Sequence, residues 1–157
     1  MEAPLQARPA PTETPAEAQR SIVDSFQYLE DWTERYQYLI ELGRRLPPFP
    51  EKERIEANRM HGCQAGVWFV SDYRDGKLHF EATSDSAIVA GLIVLLLKVY
   101  SGRHPYQVLA TSPAFIDETG LGEHLSPHRA NGLSLMLERI RALAKAHVSD
   151  NLAGGGA

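Results

Sequence analysis

The chain has 157 residues, 43% of them hydrophobic, and a net charge of -4, which fits one domain with a sizeable core. The acidic balance excludes nucleic acid and an anionic membrane surface as the main partner, because binding phosphate groups requires a basic face. No apolar run has the roughly 20 residues that span a bilayer, and the single cysteine cannot form an internal disulfide, so we expect a cytoplasmic protein.

The two ends of the chain are predicted to be tails around one domain. Residues 1–19 are rich in Pro, Ala, Glu and Thr. They lack the apolar side chains that offset the entropy of ordering, so we expect them to be disordered. Residues 149–157 contain a run of glycines and are expected to be flexible. Residues 20–148 are left as the predicted domain.

Helical patterns come first within this domain. Ser21 and Asp24 have the spacing of a capping box and predict a short helix to about residue 27. Asp31 is suited to cap a second helix over residues 31–46, where apolar side chains recur at helical spacing. The prolines that follow residue 46 prevent this helix from continuing.

A β region follows the two helices. Residues 58–60 are a candidate first strand, and residues 67–73 are rich in the β-branched and aromatic side chains that strands favour. Asp75-Gly76 is typical of a hairpin turn. Residues 77–83 alternate between apolar and polar side chains, which predicts a third strand with one face toward water. That polar face consists of His79, Glu81 and Thr83.

Helices are predicted for the rest of the chain. Residues 84–86 are suited to cap a helix over residues 87–100, which is apolar nearly all round and is therefore expected to be central and buried. Short helices are expected over 105–109 and 113–118, and a long last helix begins after Ser126. The fold class is therefore α+β, a small antiparallel sheet with helices packed on one face.

Cys63 is the first candidate for chemistry. A lone cysteine is most often a small buried hydrophobic residue, but this one lies between Gly62 and Gln64 in a loop before a strand, and function concentrates in such loops. A thiolate there is suited to attack the outer sulfur of a partner's persulfide. Because a free thiol is mostly protonated at neutral pH, a nearby cation would help, and His61 and Arg129 are the candidates.

The histidines do not predict a metal site. His124 and His128 are four residues apart, but Ser126 and Pro127 place the start of a helix between them, so the two side chains should not share a face. A structural zinc ion requires four ligands, and the sequence offers no second cysteine. We therefore expect no bound metal.

Four segments in chain order carry a resemblance to a known family. They are Tyr36 with residues 39–43 and Leu46-Pro47, Met60-His61-Gly62-Cys63-Gln64 with Val67-Trp68, residues 84–89 with Gly91-Leu92, and Leu125-Ser126 with Arg129-Ala130-Asn131-Gly132-Leu133. Together they resemble the SufE family of cysteine-desulfurase sulfur acceptors, which includes the CsdE branch. The resemblance extends from Ser21 to His147 without large gaps. One departure is His128, which stands where the family often has Ser.

The resemblance implies a fold shared with the IscU and NifU scaffold proteins. It also implies that Cys63 takes persulfide sulfur from a PLP-dependent desulfurase of the SufS or CsdA kind, that the chain stimulates this enzyme, and that the sulfur passes to a downstream iron–sulfur scaffold. PLP belongs to the partner, so we expect no cofactor here beyond the persulfide carried on Cys63. Supporting or partner-binding roles are implied for His61, Gly62, Gln64, Asp85 and Arg129.

Two other functions stay open at this point. One is a non-catalytic adaptor of the desulfurase, and the other is a stand-alone enzyme with a thiol nucleophile, which would need a base and an oxyanion site. The sequence does not decide between the SufE and CsdE branches. If Cys63 is buried in the free protein, a persulfide is protected from solvent, but the loop must then open to receive it.

Overall fold

The computed structural model describes the backbone of residues 11–155 and the side chains of residues 11–148. In this part of the chain seven α-helices surround a two-stranded sheet, in the order α1 (Pro15–Gln27), α2 (Trp32–Arg44), β1 (Val67–Arg74), β2 (Lys77–Ser84), α3 (Ala87–Tyr100), α4 (Pro105–Ala110), α5 (Ala114–Glu118), α6 (Leu121–His124) and α7 (Pro127–Gly155). Two single 3₁₀ turns, Glu51–Glu53 and Glu56–Asn58, connect α2 to β1. The predicted α+β class is confirmed.

The sheet is one antiparallel hairpin. Asp75 and Gly76 both have positive φ, as the tight turn between right-handed twisted strands requires. The prediction of a first strand over residues 58–60 is wrong. Arg59 forms only an isolated bridge with Trp68, because the chain leaves a 3₁₀ turn immediately before it and turns into the cysteine loop immediately after it.

The long apolar helix α3 forms the centre of the core, as predicted. Ser86 caps it by accepting a hydrogen bond from the Val89 N–H at 3.3 Å. Helix α2 crosses it so closely that a Cβ atom on Gly91 would lie 2.1 Å from the Leu39 carbonyl oxygen. The crossing is therefore possible only with glycine at this position. No helix within residues 11–155 is long and apolar enough to cross a membrane.

The structure corrects both predicted tails. Helix α1 begins at Pro15, where Thr14 and Glu17 form a capping box, and Ala18 is fully buried. The entropy cost of ordering these residues is therefore offset by the helix cap and by core contacts, which the Pro- and Ala-rich composition does not reveal. Helix α7 continues to Gly155, beyond the start of the C-terminal tail predicted at residue 149. Residues 1–10 and 156–157 lie outside the described part of the chain.

The polar face predicted for β2 is also wrong. His79 and Glu81 are only 6% and 2% exposed, and Thr83 is half-buried. His79 lines a cavity of about 320 Å³ together with Pro11 and Pro47, so the segments before α1 and after α2 lie over this face of the hairpin. Alternation along a strand distinguishes its two faces, but it does not show that a distant segment covers the polar one.

Candidate functional site

Cys63 lies in a six-residue loop, residues 61–66, whose two ends are held together by the main chain. The Met60 N–H donates to the Val67 carbonyl oxygen at 2.8 Å, which closes the base of the loop. Gly62 has a φ of +94°, a conformation that side chains with a Cβ rarely adopt. The predicted importance of Gly62 is therefore explained by backbone geometry at the residue before the cysteine.

The C-terminal end of the loop is fixed to the junction between β2 and α3. The Gly66 N–H donates to Asp85 Oδ1 at 2.9 Å, and the Gly66 carbonyl oxygen accepts from Ser84 Oγ at 2.7 Å and from the Asp85 N–H at 3.2 Å. The cap of α3 is Ser86 and not Asp85, because the Asp85 carboxylate is engaged by the loop. Asp85 is thus a residue that fixes the loop.

Helix α7 lies against the other end of the loop. Asn131 Nδ2 donates to the Gly62 carbonyl oxygen at 3.0 Å. A Cβ on Gly132 would lie 3.9 Å from the Cys63 sulfur, and one on Gly62 would lie 3.2 Å from Leu135 Cδ1. The two glycines therefore permit a close approach between the cysteine loop and α7.

A cavity of about 320 Å³ opens beside Cys63. Its wall is formed by the cysteine loop and by the first turns of α3 and α7. The lining residues are Cys63, Gln64, Ala65, Val67, Ser86, Val89, Ser126, His128, Arg129 and Gly132. Ser126 caps α7 by accepting from the Arg129 N–H at 3.4 Å. The N-terminal ends of two helices, which favour negative charge, thus meet at the space in front of the thiol.

Of the two cations suggested for Cys63, the structure brings only one to the cavity. Arg129 lines it together with Cys63. The His61 side chain is 77% exposed, and its Nε2 lies 3.9 Å from Glu56 Oε1. Gln64 lines the cavity as a neighbour of the cysteine. His61 is therefore the one predicted site residue in the loop that the structure turns elsewhere.

The thiol itself is half-buried, and burial raises the pKa of Cys63 above its ordinary value. The charge of Arg129 does not offset this desolvation, even though the two side chains line the same cavity. The thiolate is accordingly less populated in this conformation than in a free cysteine.

Sequence reasoning missed three residues of the site. Ser86 and His128 line the cavity, and Asn131 bonds to the loop. From the sequence, His128 stood out only as a departure from the family pattern and as a residue that should not share a metal ion with His124, whose ring stacks on Trp32 at 4.0 Å. The described residues contain no cluster of three or more His, Cys, Asp or Glu side chains that could hold a metal ion.

Trp68 also differs from the core side chain that its strand position suggests. It is half-buried, and the Arg54 guanidinium lies 4.3 Å from the centre of its ring. Part of the Trp68 side chain is therefore accessible close to Gly66 of the cysteine loop.

The family model for SufE, described as an Fe-S metabolism associated domain, matches residues 20–144. The chain belongs to the SufE family. It is 41% identical over 129 residues to an uncharacterized SufE-like protein of Rhizobium meliloti (strain 1021), covering 79% of this chain and 92% of that one. A SufE-like protein of Synechocystis sp. is 36% identical over 123 residues, with 78% and 77% covered. This membership connects the protein with iron–sulfur metabolism.

A solved structure agrees with the family assignment. The solution structure of a hypothetical protein from Thermus thermophilus superimposes with a TM-score of 0.68 and is 27% identical in sequence. The similarity covers 84% of this chain and 96% of the other. The SufE-family protein therefore shares its architecture along nearly the whole length of that neighbour.

Proposed function

We propose that this protein accepts sulfur on Cys63 from a PLP-dependent cysteine desulfurase and passes it toward iron–sulfur cluster assembly. The observation that carries the proposal is the cavity in front of Cys63, where the first turns of α3 and α7 meet in a SufE-family chain. Free N–H groups and the helix dipole at such ends favour negative charge. These surroundings suit a persulfide anion on Cys63, and Arg129 supplies a cation in the same cavity.

Sulfur transfer of this kind needs one cysteine on each protein. The Cys63 thiol loses its proton, and its sulfur attacks the outer sulfur of the partner's persulfide. The bond between the partner's two sulfur atoms breaks, the partner's cysteine leaves as a thiolate and takes up a proton, and the outer sulfur stays on Cys63. A thiol and a persulfide become a persulfide and a thiol, so neither oxidant nor reductant is consumed. The PLP chemistry belongs to the partner.

The half-buried state of Cys63 has opposite effects before and after the transfer. Beforehand, burial keeps the thiol protonated and separates it from a partner's cysteine, so the loop has to open. Afterwards, closure of the loop against α7 shields the bound sulfur from solvent thiols. Opening and closing of a loop around a reactive group is a common way to combine access with protection.

Stimulation of the desulfurase follows from the same step. The partner cannot begin another cycle until its cysteine has lost the outer sulfur. An acceptor that removes this sulfur frees the enzyme for its next turnover and carries the sulfur to a downstream scaffold. The carrier function and the activating function therefore depend on the same thiol.

The decisive experiment is intact-protein mass spectrometry after mixing the chain with a cysteine desulfurase and free cysteine. We expect a gain of one or more sulfur atoms that maps to Cys63, disappears with reductant and requires the desulfurase. Cys63→Ser replaces only the sulfur atom, so this variant should keep its fold and show no gain.

Two outcomes would contradict the proposal. If folded, reduced protein gains no sulfur from any desulfurase but Cys63→Ala still stimulates the enzyme, the chain is an adaptor. If the chain turns over an ester or peptide without a partner, Cys63 is the nucleophile of a stand-alone enzyme.

A further inference from the structure

The two ends of the cysteine loop are held with unequal strength. At Gly66 three hydrogen bonds join the loop to Ser84 and Asp85 in a partly buried setting. Near Gly62 a single bond from Asn131 connects the loop to α7, and both groups are exposed. If the loop opens, the contact that breaks at lowest cost is therefore the one between Gly62 and Asn131.

The contact with α7 also determines where the thiol lies. Gly62 is bonded directly to Cys63, and its carbonyl group belongs to the peptide that joins the two residues. Asn131 Nδ2 donates a hydrogen bond to that carbonyl oxygen at 3.0 Å, and Gly132, the next residue of α7, faces the Cys63 sulfur atom. Fixing this peptide thus fixes the direction in which the Cys63 side chain leaves the backbone.

We propose that Asn131 is a positioning residue that holds the Cys63 loop closed against α7 and releases it when the thiol has to be presented. The hydrogen bond donated by the Asn131 amide stabilises the closed state. In the open state, water solvates both exposed groups. The presentation of Cys63 to a desulfurase rests on the proposed function; the closure of the loop does not.

The hydrogen bond from the Asn131 side-chain amide has the strength expected of a reversible latch, meaning a contact that holds the loop closed and can be broken at low cost. Because both partners are exposed, loss of the hydrogen bond leaves no buried polar group without a partner. A bond of this class changes the equilibrium between closed and open states by about two- to tenfold. By contrast, separating Gly66 from Asp85 would remove a charged acceptor from a buried N–H group, so that end is suited to act as the pivot.

Asn131→Ala tests the latch without any partner protein. Cys63 is the only cysteine, so alkylation by the neutral reagent iodoacetamide, followed by intact mass, reports the reactivity of this thiol, which depends on its accessibility and on its thiolate fraction. We expect alkylation to become about three- to tenfold faster. Stability in urea should be unchanged or higher, because Ala is a better helix former than Asn at an exposed helical position. Ser134→Ala, an exposed polar truncation on the same helix, is the matched control and should alkylate at the original rate.

Asn131→Asp separates the hydrogen bond from the rest of the side chain. Asp has the size of Asn but cannot donate, and near a helix N-terminus it does not destabilise the helix. A series of pH values separates loop opening from any change in the acidity of the thiol. The Asp variant should open as the Ala variant does. If only Asn131→Ala is alkylated faster, or if its alkylation rate equals that of Ser134→Ala, the latch does not exist.

Sulfur uptake from a desulfurase then tests presentation. Asn131→Ala should be half-saturated at a severalfold lower concentration of the enzyme, because less of the binding energy is spent on opening. If the unaltered chain takes up no sulfur, the proposed function fails, while the alkylation rates still decide the latch. If uptake is normal in both proteins but alkylation is unchanged by the substitution, the latch fails and the proposed function stands.

Discussion

Cys63 and Arg129 line one cavity, yet burial raises the pKa of the thiol and the guanidinium does not counter it. The arrangement is better suited to a charge located farther out than the Cys63 sulfur, where the first turns of two helices also favour an anion. The outer sulfur of a persulfide occupies such a position. On the proposed function, Arg129 is therefore suited to the persulfide product of the transfer and not to the resting thiol.

Arg129→Ala tests this assignment. Because desolvation alone raises the thiol pKa, we expect the pH midpoint of Cys63 alkylation in the free protein to stay where it is. Sulfur uptake from a desulfurase should fall about fivefold, the equivalent of about 1 kcal/mol for a partly exposed charge interaction. Arg129→Lys keeps the charge and should retain most of the uptake. An upward shift of the alkylation midpoint in Arg129→Ala, which would show that the guanidinium stabilises the resting thiolate, or uptake at the original rate, would contradict the assignment.

The position of the candidate residue Cys63 and part of its surroundings were predictable from the sequence. Cys63, Gln64 and Arg129 share the cavity, because a glycine-flanked loop and a helix start are features of local sequence. His61 points toward Glu56, since the direction of a loop side chain depends on turns that spacing does not specify. Asn131 was missed because a hydrogen bond to a loop 69 positions away leaves no mark in either segment.

Among the helices and strands, the crossing of α2 and α3 restricts most strongly which residues the sequence can carry. Helix α3 supplies more buried hydrophobic side chains than any other described element, and α2 comes close to its backbone where glycines lie on both helices. A Cβ on Gly43 would lie 2.9 Å from the Ala87 carbonyl oxygen, and one on Gly91 would lie 2.1 Å from that of Leu39. Since Ser86 at the start of α3 lines the cysteine cavity, this crossing also supports the site.

Gly91→Ala should therefore destabilise the fold. The added methyl group would meet backbone atoms of α2, which cannot rotate away, so we expect the free energy of unfolding to fall by about 3 kcal/mol. Urea denaturation measures the change. Gly122→Ala is the matched control, because a Cβ there would meet its nearest neighbour at 3.5 Å, an ordinary contact distance. Equal stability of the two variants would show that the helices separate without cost.

Periodic elements were predictable and context-dependent ones were not. The helix over residues 87–100 and the hairpin turn at Asp75 were placed correctly, because an apolar run with a capping serine and an Asp-Gly turn are local signals. The start of α1 is marked by the local capping box of Thr14 and Glu17, which the Pro- and Ala-rich composition obscured, whereas the pairing of residues 58–60 depends on partners elsewhere. Segments distant in sequence decide whether the polar face of a strand is exposed to water, as was expected for the face that contains His79.

For the molecule as a whole, the covered face of the hairpin couples stability to pH. Burial lowers the pKa of His79, with the charges of Arg74 and Lys77 adding to the effect and Asp72 and Asp75 opposing it. The unfolded chain therefore binds a proton at a higher pH than the folded one. Stability is full above the ordinary histidine pKa of about 6.5 and is lost as the pH falls below it.

His79→Gln isolates this contribution. Gln is polar but does not titrate, so the difference in unfolding free energy between the two proteins should change between pH 7.5 and pH 5.5. We expect the native chain to lose more stability over that interval than the variant, because its folded state resists protonation of His79. Urea denaturation at both pH values measures it. Parallel losses in the two proteins would mean that His79 protonates as readily in the folded state as in the unfolded one.

The paired base of the cysteine loop limits how far the sulfur can travel. Met60 and Val67 stay joined by their hydrogen bond, and Cys63 is the third residue beyond Met60. A chain extends by at most about 3.5 Å per residue, so the excursion of the Cys63 backbone is bounded at roughly 10 Å from the edge of the sheet. For the sulfur transfer proposed above, so short a tether favours a meeting of the donor's persulfide with Cys63 near the protein surface.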